Sequence, residues 1–403
     1  MRLNFRIEIP TMLRRAVLTA LVAVPLTGCA GFIPEASAQS SSSSTPYIAP
    51  PPAETQRPET QRPATQAPVR SQRTERADVP QGPSRQLTNA IRALGEDFNG
   101  EVGIAVRDVE EGWTVSWNGD RFLPQQSVSK TWVALTMLDR VDRGEMSLDR
   151  MVRVRPEDAV VFHQPMLSRM GNGGFQASIR ELFVQAMTRS DNLANDRLLW
   201  LSGGPDAVRE FIERNDLDGL RFGPGERDLQ AGIAGLTWRQ AMARGRGFYT
   251  ARSSLAQDVR RRAMDRYLAD PVDGATANGM VEALARLSRG ELLSERSTAL
   301  MIETMRNSRT GPQRLSGCVP RGWQFGHKTG TGQNLNGMVA GYNDVGILTT
   351  PDGRDYAVAV LIGNTRVGIP TRQELMQRVM GQVVSHHLRR RYEFFTGGIQ
   401  TSR

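Results

Sequence analysis

Ser127-Val128-Ser129-Lys130 opens a helical pattern that continues to Gly144, with apolar residues recurring at helical spacing. A serine and a lysine at i and i+3 lie on one face of a helix, with about 5–6 Å between their Cβ atoms. The free N–H groups and positive dipole end of a helix N-terminus favour a serine alkoxide. A poorly solvated lysine beside that serine can act as its base. Because S-x-x-K is short and common, a Ser127 that only caps the helix is the alternative.

Strand patterns flank this helix-rich middle of the chain on both sides. Alternating apolar residues predict strands over 101–109, 114–118, 323–328, 337–348 and 356–362. Helical periodicity dominates between the two groups of strands, and a last helix is expected from residue 371 to about residue 391. We therefore predict an α+β fold with αβα layers. Its antiparallel sheet is built from N- and C-terminal strands and flanked by helices, and an all-helical lobe is inserted.

Two more clusters carry side chains suited to chemistry. Ser190-Asp191-Asn192 lies between two helical segments, where the serine can relay a proton and the asparagine amide can donate and accept at once. The alternative is a helix cap. The segment 327–332, His-Lys-Thr-Gly-Thr-Gly, ends a predicted strand. Its lysine and hydroxyls can donate to a substrate carboxylate, and its glycines permit close approach. The alternative is a charged residue that protects a sheet edge.

Composition excludes several other chemistries. The chain has 403 residues, a net charge of +9, two cysteines and four histidines. It lacks H-E-x-x-H and nucleotide-binding glycine motifs, so we expect no metal and no cofactor. Lysine occurs only at Lys130 and Lys328 among 51 basic residues. Nearly every positive charge is therefore arginine, and the two surviving lysines lie in two of the clusters. The mild positive charge does not indicate nucleic-acid binding.

The clusters occur in the order S-x-x-K, S-D-N and K-T-G, and together they form a specific signature. Over about residues 86–387 the chain resembles class A β-lactamases and penicillin-binding proteins, most closely class A. The resemblance implies that Ser127 is the nucleophile, Lys130 its activator and Ser190 the donor to the departing ring nitrogen. Lys328, which also counts among the catalytic residues, then binds the substrate carboxylate together with Thr329. The implied substrate-binding residues are Asn192, Phe162, Thr329, Gly330 and Thr331, and the N–H groups of Ser127 and Thr331 would form the oxyanion hole.

Glu226 separates the two branches of this family. Counting without gaps from Ser190 puts Glu226 where class A enzymes carry the Ω-loop glutamate that activates the deacylating water. Gln230 falls where the family has a water-holding asparagine, and Asp228 is a nearby competitor. The family's arginine at the start of this loop is missing, because 223–224 is Gly-Pro. The salt bridge that pins the loop must then be replaced or absent.

Two further departures concern length and the carboxylate site. The stretch from Ser190 to Lys328 is roughly 35 residues longer than we expect for the family. We assign the excess to an Arg-rich insertion at about 233–270, which either covers the cleft or extends the surface. The arginine that supports carboxylate binding is absent from its usual place, and Arg366 or Arg372 is a candidate substitute.

The N-terminal region resembles an export and tethering device. Residues 1–29 fit a signal peptide that ends in a lipobox, Leu26-Thr27-Gly28-Cys29, with Cys29 as the lipidated residue. An A-x-A cleavage site at 36–38 is the alternative. The Pro/Ser/Thr/Gln-rich segment 30–85 is expected to be a disordered linker, 86–395 the catalytic domain and 396–403 a tail.

We thus expect an exported, periplasmic, lipid-anchored serine hydrolase. It would use Ser127 as acylating residue and Glu226 for deacylation, act on small β-lactams as a monomer, and contact the membrane only through its anchor. Two alternatives stay open. One is a D,D-peptidase of the penicillin-binding type acting on peptidoglycan, which needs no Glu226. The other is a non-catalytic β-lactam- or cell-wall-binding lipoprotein that acylates and stops.

Overall fold

The structure is a computed structural model that describes residues 82–397. Cys29, the signal segment, nearly all of the 30–85 linker and residues 398–403 lie outside the described residues. The strands are β1 Gly100–Asp108, β2 Thr114–Trp117, β3 Leu123–Pro124, β4 Met151–Val154, β5 Phe175–Ser178, β6 Gly274–Ala275, β7 Gln324–Thr331, β8 Asn334–Leu335, β9 Met338–Thr349 and β10 Asp355–Thr365. The helices are α1 Arg85–Glu96, α2 Lys130–Asp142, α3 Ile179–Thr188, α4 Asn192–Leu201, α5 Gly204–Arg214, α6 Glu226–Ile233, α7 Gly247–Ser254, α8 Gln257–Ala269, α9 Ala277–Ser288, α10 Glu295–Arg306 and α11 Ile369–Gly397.

The main sheet joins strands from the two ends of the described chain. Its order is β2-β1-β10-β9-β7, with β8 paired to β9. All of these pairings are antiparallel. The central strand β10 pairs with β1 on one side and β9 on the other, so N-terminal and C-terminal strands meet in the middle of the sheet. The predicted α+β architecture is therefore confirmed.

Each face of the sheet packs against a separate apolar core because side chains alternate along a strand. In β10, Tyr356, Val358, Val360 and Ile362 belong to the core beneath α1 and α11. The intervening residues Ala357, Ala359 and Leu361 belong to the opposite core, which continues into the helical lobe. The small alanines on that second face let α9 pack closely on β1 and β10.

The predicted inserted segment, 233–270, folds into a 3₁₀ turn at Gln240–Ala243 followed by α7 and α8. α8 packs on α6 through Met264 and Leu268, which join Leu229 and Ile233 in one apolar cluster. The segment is therefore built onto the helix that begins at Glu226.

Sequence periodicity located the helices well and their ends less well. α3, α4, α5, α9 and α10 lie between the two groups of strands, where helical periodicity is expected to dominate. The helix expected from Ser127 begins instead with a 3₁₀ turn, Gln126–Ser129, and its α-helical part starts at Lys130. α11 runs past the expected end of the domain to Gly397. None of the helices within residues 82–397 is long and apolar enough to cross a membrane.

Candidate active site

Ser127 lies in the 3₁₀ turn that leads into α2, facing a cleft of about 280 Å³. Lys130 follows at the start of α2 with its side chain fully buried. Its Nζ donates to Ser127 Oγ at 3.0 Å and to Glu226 Oε2 at 3.4 Å. The N-cap of α2 is Ser129, and it makes no side-chain cap hydrogen bond. Ser127 is thus not a helix cap, and its hydroxyl is bonded to the buried amine.

Lys328 and Ser190 form a second hydrogen-bonded pair across the cleft from α2. Lys328 on β7 is fully buried, and its Nζ donates to Ser190 Oγ at 2.9 Å and to the Thr329 carbonyl oxygen at 2.9 Å. Burial lowers the pKa of Lys328 well below its ordinary value, and the charges of Lys130 and Arg314 lower it further. This site therefore holds a lysine that sheds its proton more readily than an exposed one.

In the S-D-N cluster, Asp191 caps a helix, and Ser190 and Asn192 line the cleft. Asp191 is the N-cap of α4 and accepts from Ala194 N at 2.9 Å. Asn192 Nδ2 donates to the Val161 carbonyl oxygen at 2.9 Å and to Glu226 Oε1 at 3.1 Å. Capping therefore falls to Asp191, and Ser190 and Asn192 are free to line the cleft.

Glu226 is the first residue of α6 and is 9% exposed. One carboxylate oxygen receives the Lys130 amine and the other the Asn192 amide. Asp228, the competitor in the sequence, instead lines a separate groove between α6 and α8. The ungapped count from Ser190 thus selected the carboxylate that lies beside Lys130.

Asp196 replaces the missing arginine as the fixed point of the Glu226 segment. Its Oδ1 accepts from the backbone N–H of Glu226 at 3.0 Å, and its Oδ2 lies 3.6 Å from Arg227 Nε. Burial raises the pKa of Asp196 to about 6. The salt bridge that the family's arginine would make is therefore replaced by contacts of Asp196, on α4, with the start of α6.

Gln230 lies one turn after Glu226 and is held by two other glutamines. Its Nε2 donates to Gln126 Oε1 at 3.1 Å, and its Oε1 accepts from Gln333 Nε2 at 3.0 Å. Gln333 in turn receives Arg252 of α7 at 3.1 Å. A buried amide chain thus connects the inserted segment to the residue that precedes Ser127.

The K-T-G segment lies at the edge strand β7 and faces Ser127. A Cβ on Gly330 would lie 2.3 Å from the Gln125 carbonyl oxygen, so only glycine lets β7 approach the turn before Ser127 this closely. Thr329 Oγ1 lies 2.7 Å from Thr310 Oγ1. Thr329 and Thr331 line the cleft.

Phe162 borders the cleft with a left-handed backbone, φ 62°. Its ring meets Phe248 edge-on with centroids 4.9 Å apart, and Tyr249 at 6.1 Å. Both partners belong to α7. The inserted segment therefore reaches one wall of the cleft, and Phe162 is its point of contact.

Arg314 is one of three cleft residues that sequence reasoning missed, with His163 and Thr310. Its Nη2 donates to Thr331 Oγ1 at 2.6 Å, and its Nη1 donates to the Gly330 and Asn343 carbonyl oxygens. The candidates taken from the sequence lie elsewhere: Arg366 is exposed and bonds Asn336 O, and Arg372 bonds Val367 O. One more arginine in so Arg-rich a chain carries no sequence signal of its own.

Comparisons with known proteins agree with this geometry. Residues 86–387 match the model of a β-lactamase enzyme family. The chain is 26% identical over 280 residues to β-lactamase VEB-1 of Pseudomonas aeruginosa, covering 70% of this chain and 83% of that protein. It is 27% identical over 296 residues to extended-spectrum β-lactamase PER-1 of the same organism, covering 73% and 84%.

Solved structures give the same result. A β-lactamase from Chitinophaga pinensis matches with a TM-score of 0.59 and 26% identity, over 74% of this chain and 97% of that one. The TLA-3 extended-spectrum β-lactamase matches with a TM-score of 0.61 and 25% identity, over 74% and 96%. The family model spans most of the chain and includes all three clusters of the cleft. The chain therefore belongs to the β-lactamase enzyme family, as a serine hydrolase of class A.

Proposed function

We propose that this enzyme hydrolyses the ring amide of β-lactams through an acyl-enzyme on Ser127, and that Glu226 activates the water that releases the product. The observation that carries the proposal is the position of Lys130 Nζ, 3.0 Å from Ser127 Oγ and 3.4 Å from Glu226 Oε2. A nucleophile, an amine and a carboxylate in one hydrogen-bonded row are the groups that both half-reactions need.

Acylation begins when Ser127 Oγ attacks the lactam carbonyl carbon. The hydroxyl proton has a hydrogen-bonded path through Lys130 Nζ to the Glu226 carboxylate. When the C–N bond breaks, Ser190 gives its proton to the ring nitrogen and is resupplied from Lys328 Nζ at 2.9 Å. The backbone N–H groups of Ser127 and Thr331 stabilise the oxyanion, where losing one donor typically lowers the rate by ~10²–10³.

Deacylation uses the same carbonyl carbon with water as the nucleophile. The proton that Glu226 took up in acylation first returns through solvent to Lys328, which had given one up. Glu226, ionised again, takes a proton from the water as the new C–O bond forms. It then passes that proton through Lys130 Nζ to Ser127 Oγ as the bond to the serine breaks. Asn192 and Gln230 line the cleft together with Glu226. Asn192 Nδ2 fixes one Glu226 oxygen at 3.1 Å, which leaves the carboxylate with a defined orientation.

The substrate carboxylate belongs at the K-T-G edge. Lys328, Thr329 and Thr331 present an amine and two hydroxyls there, and Arg314 adds a buried guanidinium. Two cations close to one carboxylate give charge-assisted hydrogen bonds, which are about twice as strong as neutral ones. Phe162 on the opposite side contributes an apolar wall to the substrate side chain.

We also propose that the chain is exported and held at the membrane by lipid on Cys29. The Leu26-Thr27-Gly28-Cys29 sequence directly after an apolar run supports this, in a chain with only two cysteines. The catalytic domain would then act in the periplasm as a monomer at the end of the 30–85 linker. Peptidoglycan is the second candidate partner there.

Turnover of a chromogenic cephalosporin by the purified 86–403 fragment tests the catalytic proposal. We expect many equivalents of product per enzyme, and no covalent labelling by a fluorescent penicillin in Ser127→Ala. A wild type that stops after one equivalent would contradict hydrolysis and support the penicillin-binding alternative. Labelling that persists in Ser127→Ala would remove Ser127 from the mechanism.

A further inference from the structure

Gln126, immediately before Ser127, has a backbone conformation that it would not adopt unaided. Its φ is 53°, in the left-handed region that non-glycine residues rarely occupy. Such conformations persist only where surrounding contacts enforce them, and they cluster at functional sites. Because the next residue is the nucleophile, the conformation of Gln126 sets where the Ser127 backbone N–H and hydroxyl point.

Tyr267 and Asp273 hold both ends of Gln126. The Gln126 backbone N–H donates to Asp273 Oδ2 at 2.9 Å, and its side-chain Nε2 donates to Tyr267 Oη at 2.6 Å. Tyr267 Oη donates in turn to Asp273 Oδ1 at 2.9 Å, so one carboxylate closes the ring of contacts. All three residues are buried.

The tyrosine comes from the inserted segment. Tyr267 lies near the end of α8, and its ring packs in the apolar cluster with Leu229, Ile233 and Met264. The side chain of Gln126 also receives Gln230 Nε2 at 3.1 Å. The Gln126 side chain is therefore hydrogen-bonded both to α8, through Tyr267, and to α6, through Gln230.

We propose that Tyr267 and Asp273 are positioning residues that hold Gln126 in its left-handed conformation and thereby orient Ser127 for acylation. This inference rests on the proposed role of Ser127 as nucleophile. It gives the inserted segment a function: through Tyr267, α8 holds the 3₁₀ turn that carries Ser127, in addition to extending the surface.

The test compares acylation rates in two tyrosine variants. Tyr267→Phe keeps the ring in its cluster and removes only the hydroxyl. We expect acylation by a fluorescent penicillin to slow about ten- to a hundredfold, because a misplacement of about 1 Å can slow a reaction by ~10². Deacylation should slow as well, because its oxyanion uses the same Ser127 N–H. Tyr356→Phe is the matched control, since it removes a buried hydroxyl 3.2 Å from His387 Nδ1 in the core beneath α1 and α11.

Two double variants distinguish a positioning role of Tyr267 from other roles. Gln126→Gly adopts a positive φ without strain, so adding Tyr267→Phe to it should slow acylation no further. Tyr267→Phe and Asp273→Asn act on one ring of contacts, so the double variant should be about as slow as the slower single variant. Thermal unfolding of each variant separates lost stability from lost rate.

The possible outcomes separate the positioning role of Tyr267 from a structural role and from the proposed function. If Tyr267→Phe lowers the melting temperature as Tyr356→Phe does and acylates at the wild-type rate, the hydroxyl is structural and the inference is overturned. If Tyr267→Phe slows acylation equally with and without Gln126→Gly, Tyr267 acts by another route and the inference is also overturned. A wild type that acylates without turning over contradicts only Glu226-assisted deacylation. A wild type that never acylates overturns the proposed function together with this inference.

Discussion

Lys328 Nζ lies 2.9 Å from Ser190 Oγ, although 138 residues separate the two in the chain. The contact joins the edge strand β7 to the start of α4, and so joins the sheet to the helical lobe. It is made by a lysine with no exposed surface and by a serine whose φ is 55°. The two residues that connect the sheet to the helical lobe are thus a fully buried lysine and a serine with a left-handed backbone.

The lowered pKa of Lys328 predicts an alkaline limit to activity. As pH rises through that pKa, Lys328 loses its charge and binds the substrate carboxylate more weakly. We expect kcat/KM to fall, chiefly through a rising KM, at a pH well below the value of about 10.4 where an exposed lysine titrates. Steady-state kinetics across this pH range provide the measurement. A β-lactam with its carboxylate esterified is the control: its KM should not rise along this limb, and any fall in its rate reports the proton supply from Lys328 to Ser190. A KM that rises equally for both substrates would contradict the assignment.

Arg314 should contribute to binding of the same carboxylate. Arg314→Gln removes a charged donor from the cleft, and hydrogen bonds to charged groups contribute about 1.5–3 kcal/mol. We therefore expect KM for carboxylate-bearing β-lactams to rise roughly ten- to a hundredfold. Arg366→Gln should leave KM near the wild-type value, because Arg366 is exposed and bonds only a backbone carbonyl. Equal effects of the two changes would show that the cation bound to Thr331 has no special role.

Glu226 should be needed more for deacylation than for acylation. Glu226→Gln keeps the shape of the side chain and removes its basicity. Lys130 Nζ, 3.0 Å from Ser127 Oγ, still accepts the serine proton in acylation. We expect a burst of one equivalent followed by turnover slower by ~10²–10⁴, the usual contribution of a general base. Rapid-mixing kinetics and mass spectrometry of the trapped acyl-enzyme provide the measurement.

Asp228→Asn is the control for Glu226, since Asp228 lines a different groove. It should turn over almost normally. Accumulation of acyl-enzyme in Asp228→Asn, with normal turnover in Glu226→Gln, would reverse the two assignments.

Cys29 should determine membrane attachment. Cys29→Ser removes the thiol that would carry the lipid, and stable anchoring needs more than one acyl chain. We expect the full-length protein to move from the membrane fraction to the soluble periplasm on cell fractionation. A wild-type protein that is already soluble and begins at Gln39 would show that cleavage follows the A-x-A site instead.

Periodicity predicts the sheet and most helices here because burial repeats along single elements. β10 has apolar residues on both faces, because a separate apolar core packs against each face of the sheet. The three motif clusters also identified the residues that meet at the cleft, because each motif is contiguous in the chain. The 3₁₀ turn at Gln126–Ser129 carries no such pattern, and its geometry is set by neighbours distant in sequence.

Arg314 and Tyr267 show that local sequence patterns do not reveal contacts between elements that are distant in the chain. Arg314 matters because it reaches Thr331, and Tyr267 because its hydroxyl reaches Gln126. Both contacts depend on how separate elements pack, so neither residue stands out among its sequence neighbours. The ungapped count found Glu226, but what fixes it, the Asp196 side chain on α4, became visible only in three dimensions.

Because the protein has only two lysines, their side-chain signals can be observed without overlap from other lysines. Lys130 and Lys328 are its only lysines, and both are buried beside the cleft. Isotope-labelled lysine would therefore introduce two side-chain nitrogen signals in the whole protein, one from the amine at Ser127 and one from the amine at Ser190. Amine-reactive dyes and surface cross-linkers should leave both untouched while the domain is folded. The protonation of each half of the cleft can then be followed separately, without any mutation.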